Sequence, residues 1–265
     1  MIFRLTIVVS LMMCILAARA WAETAEEKGL RIAIEADDQD TGFGDSEVTM
    51  VMVLRNRHGE ESVRDFRTRT LEVADNGDKS LAMFDEPADI KGTALLTFSH
   101  KTGSDDQWLY LPALKRVKRI SSENKSGSFV GSEFAYEDLS SQEVEKYTHR
   151  WLADEPCPGA PELTCWLSER SPVDKNSGYS REQAWLDQQQ YRVWKIDYYD
   201  RKDTLLKTLT FADYREYLGQ FWRAHRMSMV NHQTGKSTDL SFDDFAFRTG
   251  LTDRDFDQKA LSRAR

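Results

Sequence analysis

The chain has 265 residues and carries 36 Lys and Arg against 44 Asp and Glu, a net charge of −8. An acidic balance of this size excludes a general polyanion binder, because the protein's own field repels nucleic acid whatever its fold. No Pro-, Gly- or Ser-rich linker and no repeat of fixed period divides the chain, so a single domain over residues 23–265 is expected.

The first residues, MIFRLTIVVSLMMCILAARAWAE, place Arg4 ahead of an apolar stretch from Leu5 to Ala18. Ala20 and Ala22 then flank Trp21 in the A-x-A pattern of a signal-peptidase site, which predicts cleavage after Ala22. The apolar stretch falls short of the ~20 residues that span a bilayer, which argues against an anchor. Met13 precedes Cys14, where lipid modification of the cysteine would want a small residue. Loss of residues 1–22 removes Arg4 and Arg19 and no acid, so the charge moves from −8 to −10. Residues 1–22 are therefore read as a signal peptide and the remainder as a soluble exported protein. Cys157 and Cys165 remain, bracketing PGAPELT, and an even pair at this spacing in an exported chain is expected to form a disulfide.

Residues 24–37 carry Leu30, Ala33 and Ile34 at helical spacing among charges, which predicts an amphipathic helix ending near Gly42 and Gly44. The period then changes to two. EVTMVMVLRN sets Val48, Met50, Met52 and Leu54 on one face, RHGEE turns, SVRDFRTRTLEV returns as a partner strand, and ADNGDKS supplies the next turn. LAMFDEP, TALLTFSHK and DDQWLYLPALKRVKRI continue the meander. Ser121 to Asp138 has no period and reads as a long loop with aromatic anchors, the kind of segment that often serves as a lid. A short helical segment is expected near Ser141–Lys146. Strands follow around Lys146–Leu152, Leu163–Arg170, Tyr179–Leu186, Tyr191–Tyr199, Leu205–Tyr217, Phe221–Asn231 and Ser237–Phe247, and the tail is expected to make a last turn with Phe256 and Leu261 tucked in. The expected fold is mainly β with some helix: ten or eleven strands in one curled antiparallel sheet, with the first helix over its concave face.

No catalytic motif is present. G-x-S-x-G, H-E-x-x-H and a P-loop are all absent, and the five histidines are scattered. The adjacent acids read as turn residues. No His or Cys cluster accompanies the cysteine pair, so neither metal nor cofactor is expected, and an enzyme is not.

What stands out is apolar content on both faces of several strands. In QWLYLPAL, Trp108 and Tyr110 oppose Leu109 and Leu111. Two readings stay open: a thick core, or a face lining a cavity large enough for an acyl chain. For the second, the candidates in the first half are Met50, Met52, Phe66, Met83, Leu96 and Phe98, joined by Leu109 and Leu111. The loop offers Phe129 and Phe134, and the second half offers Trp194, Ile196, Phe211, Met227 and Met229. Methionines suit variable ligands because an unbranched thioether adapts its shape. The basic cluster Lys115, Arg116, Lys118 and Arg119 is either a charged strand end or a rim that meets anionic headgroups or an acidic partner. The charge and the export signal speak against nucleic acid.

PADIKGTALL, DDQWLYLPALKRVKRI, GSFVGSEFAYEDL, YYDRKDTLLKTL and TGKST followed by LTDRDF, in this order and spacing, resemble the outer membrane lipoprotein-sorting protein family, a LolA/LolB-like group of bacterial exported proteins. The resemblance covers nearly the whole mature chain. It departs at Asp200–Thr204, where many members show a plain DxxG turn. It implies a half-open antiparallel β-barrel closed by helices, a periplasmic location, and an apolar interior for lipid or lipoprotein acyl chains. It also implies a carrier working between membranes with transient membrane contact, beside an inner-membrane transporter of the RND/MMPL type. The alternative is an accessory protein that docks such a transporter or another envelope partner without carrying lipid.

Overall fold

The structure is a computed structural model that describes residues 22–259 and 261. The signal-peptide reading, Ala22 apart, lies outside the described residues. In chain order the elements are a helix α1 (Ala25–Asp40) and fourteen strands: β1 (Asp45–Arg55), β2 (Glu61–Leu71), β3 (Lys79–Glu86), β4 (Ala94–Phe98), β5 (Asp106–Leu111), β6 (Arg116–Ile120), β7 (Tyr147–Cys157), β8 (Ala160–Pro172), β9 (Tyr179–Asp187), β10 (Val193–Asp200), β11 (Leu205–Tyr217), β12 (Phe221–Asn231), β13 (Ser237–Phe242) and β14 (Ala246–Phe247). All pairings are antiparallel.

The strand order β6-β5-β4-β3-β2-β1-β13-β12-β11-β10-β9-β8-β7, with β14 beside β1, gives one open sheet. Its two arms meet where β1 pairs β13, with Met50 opposite Phe242 and Met52 opposite Leu240. The two edge strands, β6 and β7, are consecutive in the chain. The segment between them therefore has to travel from one edge of the curled sheet to the other, and this is why it is long. Its bonds trace the crossing. Arg64 of β2 donates to Val130 O, Glu133 N to Thr238 of β13, and Lys207 of β11 to Asp138, while Gly178 N before β9 donates to Glu137. Phe129 and Phe134 go into the core as it passes, and Phe129 lies 5.5 Å from the Phe84 ring.

The expected ten or eleven strands become fourteen in part because two segments read as continuous are broken. DDQWLYLPALKRVKRI is a hairpin: Pro112 has no N–H to continue the ladder, a 3-10 turn runs over Pro112–Leu114, and Lys115 takes a positive φ before β6 returns. The last expected strand likewise divides into β13 and β14. Near Ser141–Lys146 the helical segment is a 3-10 turn at Val144–Lys146.

Both faces of β3–β5 are covered. The inner face carries Phe84, Leu95 and Leu109 into the main core, whereas Leu81, Met83 and Leu96 point outward under Phe256 and Leu261 of the tail. This is the physical reason for the two-faced apolar pattern. Cys157 and Cys165 form a disulfide at the β7–β8 hairpin.

Candidate functional site

Helix α1 lies over the arm of the sheet that ends in β7. A capping box starts it, with Glu27 N donating to Thr24 Oγ1 at 3.1 Å and Thr24 N to Glu27 Oε2 at 2.9 Å. Positive-φ Gly42 and Gly44 follow it, and their N–H groups donate to the Glu72 carboxylate at 2.6 and 2.8 Å. Phe43 between them is buried against Phe221 and Phe247.

Of the three residues expected to face inward, only Ala33 does so. Leu30 and Ile34 are exposed, and Gly29, Ile32, Ala33 and Ala36 face the sheet. That stripe has helical spacing and, Ile32 apart, only small side chains. It spans the sheet without filling the space beneath. What remains is a cavity of about 840 Å³ between helix and sheet, within the ~300–1,000 Å³ typical of small-molecule sites. Its floor is the inner face of β9–β12, with Ala184, Ile196, Phe211, Ala224 and Met227. The register explains the set, since Ala184 is opposite Ile196 and Phe211 opposite Met227.

The cavity is polar at its margins. Asp37, Asp78 and Glu143 lie along one side with Lys101. Burial pushes the Asp78 carboxyl up to about 7, against a hydrogen bond from the Val73 backbone and with Glu143 nearby, and burial also raises Glu143. Ser168 Oγ on β8 is buried and makes no hydrogen bond among the described residues. Next to it begins an inward-facing row that crosses four strands, Arg170, Glu182, Tyr198 and Lys207. Arg170 pairs Glu182 at 2.6 Å, and Lys207 pairs Asp138 at 2.6 Å, each of the latter two side chains being 4% exposed. Sequence reasoning missed this row. Its signal is a charge at inward parity, as at Lys207 between Leu205 and Leu209.

Of the expected lining residues, Ile196, Phe211 and Met227 border the cavity. Met50, Met52, Phe66, Leu109, Phe129, Phe134 and Met229 are packed in the main core, with Leu111 partly buried against it. Met83, Leu96 and Phe98 belong to the outer face under the tail, and Trp194 packs beside the disulfide cluster. The structure thus divides one expected set among a cavity and three packed clusters, because shared parity along a strand does not determine where the curled sheet leaves room. Lys115, Arg116 and Lys118 are exposed at the hairpin and edge strand β6, and Arg119 pairs Asp106.

Comparison with solved structures decides the family. A domain from Vibrio parahaemolyticus described as an outer membrane lipoprotein-sorting protein superposes with a TM-score of 0.87 at 56% identity, covering 90% of this chain and 100% of its own. The chain belongs to the outer membrane lipoprotein-sorting protein family. A DUF1329 family protein from Desulfovibrio piger gives a TM-score of 0.84 at 32% identity over 90% of this chain and 99% of its own. A LolA superfamily protein from Nitrosomonas europaea, at 21% identity and a TM-score of 0.69 over 87% of this chain and 98% of its own, shares the fold. A family model described as "Uncharacterized protein" matches residues 76–263. No curated protein sequence matches the chain. The open fourteen-stranded sheet with its covering helix is the half-barrel of this lipoprotein-sorting family, carried here with a single α-helix among the described residues.

Proposed function

We propose that this lipoprotein-sorting family member is a periplasmic carrier that holds an acyl chain of a lipid or lipid-anchored cargo in the cavity beneath α1. One observation carries the reading: the helix presents Gly29, Ala33 and Ala36 to an apolar floor and leaves about 840 Å³ between them. Burying a CH₂ is worth about 0.8 kcal/mol, so a fourteen-carbon chain offers on the order of 11 kcal/mol before ordering costs. A carrier needs this affinity to be close to that of the membrane the chain leaves, and a half-lined cavity under a movable cover suits the task.

Helix α1 is the better lid. Gly29 and Ile32 are its only fully buried residues among those described, and ion pairs and hydrogen bonds such as Tyr191 Oη to Glu35 at 3.0 Å hold the rest. The loop over Ser121–Asp138 is pinned by Phe129, Phe134 and Asp138 and serves as a fixed plug. Lys115, Arg116 and Lys118 on the uncovered edge hairpin, with Leu114 62% exposed at its tip, are suited to an anionic membrane or an acidic face of a partner such as an RND/MMPL-type transporter.

Replacing Ala33 by Trp tests the cavity. The indole projects into free volume, so binding of a fluorescent fatty acid should weaken about tenfold or more while the fold is retained. Unchanged binding by a folded variant sinks the assignment. Gln at Lys115, Arg116, Lys118 and Arg119 should weaken low-salt association with phosphatidylglycerol vesicles, and unchanged association rejects the rim reading.

A further inference from the structure

A second cleft, of about 560 Å³, opens elsewhere on the barrel and shares no lining residue with the cavity under α1. Four separate stretches build it: Gly178 and Tyr179 at the start of β9, the crossing segment at Ser126–Ala135, the β10–β11 turn with the start of β11, and the β12–β13 turn. The last three hold GSFVGSEFAYEDL, YYDRKDTLLKTL and TGKST, which come together here. Sequences far apart along the chain that carry the family resemblance thus face one another across a single concavity.

Its charge runs against that of the chain. The walls include Arg201, Lys202, Lys207 and Lys236 against Glu133 and Asp200, in a protein of net charge −8. Lys207 is spent on Asp138. Arg201, Lys202 and Lys236 have no carboxylate within ion-pair distance among the described residues. Both wall carboxylates are engaged by neutral donors. Asp200 accepts from Lys202 N at 2.9 Å, Thr204 N at 3.0 Å and Gln233 Nε2 at 2.9 Å, and Glu133 accepts from Asn231 Nδ2 at 2.7 Å. Arg201 is also held in place: Nε donates to Ser177 O at 2.8 Å and Nη2 to Asn176 O at 2.9 Å. Its Nη1 has no partner among the described residues. A guanidinium fixed on one side is a prepared donor for a tetrahedral oxyanion, because little side-chain freedom remains to be lost on binding.

We propose that this cleft binds a phosphate group, with Arg201 as the fixed donor and Lys202 and Lys236 closing on the anion from the two turns. The inference does not depend on the carrier reading, since the two cavities share no residue. A phospholipid headgroup and free phosphate present the same chemistry, and the test separates them.

Full mature protein is titrated with inorganic phosphate and with glycerol phosphate by calorimetry at low ionic strength. The same titrations are run on K202Q/K236Q, which leaves the Arg201 contacts intact, and on R201Q/K202Q/K236Q. Saturable binding that falls about fivefold in the first variant and about tenfold or more in the second supports the cleft. Tighter binding of glycerol phosphate identifies a headgroup site, and equal binding identifies a free-phosphate site. No saturable binding of either probe, or equal affinity in wild type and the folded K202Q/K236Q variant, overturns the proposal. Loss of fatty-acid binding in the Ala33→Trp protein with phosphate binding retained would show that the two sites stand or fall separately.

Discussion

Gly29 of α1 lies against the main chain of Arg150 in β7, so closely that a Cβ at position 29 would stand 2.6 Å from the Arg150 N, Cα and C atoms. Backbone cannot swing aside as the end of a side chain can. Glycine in a helix interior costs about 1 kcal/mol relative to alanine, and here the close approach outweighs that cost. Gly29→Ala is therefore expected to destabilise, by about 1–3 kcal/mol, and to lift the helix. Hydrogen exchange of the α1 amides should quicken; slower exchange and a higher melting temperature would show that the helix is not clamped there.

The half-buried carboxyl of Asp78 predicts a pH dependence with a definite sign. Its pKa is raised from an ordinary 3.8 to about 7, so the fold favours the neutral form. The stabilising contribution is complete below about pH 4 and is lost as the pH rises through about 7. Asp78→Asn removes this loss, and the melting temperature of the variant minus that of wild type should grow between pH 5 and pH 8. A difference that stays constant or shrinks with pH contradicts the assignment.

The pair Lys207 and Asp138 ties the crossing segment to β11, with Tyr179 Oη also donating to Asp138 at 2.7 Å. Removing one member leaves the other charged and buried, which costs about 3–5 kcal/mol. Lys207→Met should therefore lower the urea midpoint strongly, and the Lys207→Met/Asp138→Leu double variant should recover part of the loss. Additive losses in the double-mutant cycle would show that the two charges do not support each other.

The disulfide closes a short loop, with a sequence separation of 8 between Cys157 and Cys165. On the chain-entropy model it contributes about 2.5 kcal/mol. Cys157→Ser/Cys165→Ser should lose that amount in urea unfolding while keeping the strand content seen by circular dichroism.

Local periodicity made much of the architecture legible. The alternation in EVTMVMVLRN identified β1 and the shared face of Val48, Met50 and Met52, and ADNGDKS holds the turn that separates β2 from β3, though its positive φ falls at Asp75 and not at Asn76-Gly77. The antiparallel meander and the covering helix followed from the same reasoning. The helix face followed only at Ala33, because Leu30 and Ile34 are more apolar than Gly29 and Ala36, and only the approach of β7 makes the small residues the inward ones. The location of the cavity was illegible for a related reason. Met52 and Met227 have equal claims in sequence, but the crossing segment fills the space above Met52 and the small roof of α1 leaves space above Met227. That difference arises from pairings more than a hundred residues apart, such as Glu133 of the crossing segment with Thr238 of β13 and α1 with β12, which no local pattern contains.

The central claim is that the space under α1 holds hydrocarbon. Native mass spectrometry of the protein purified from its native host, without detergent, tests it most directly. The account predicts a bound species with the mass of an acyl-bearing lipid or lipopeptide in the wild type, and its loss in the Ala33→Trp protein. A wild-type spectrum showing only the bare polypeptide, both as isolated and after incubation with lipid vesicles, would contradict it.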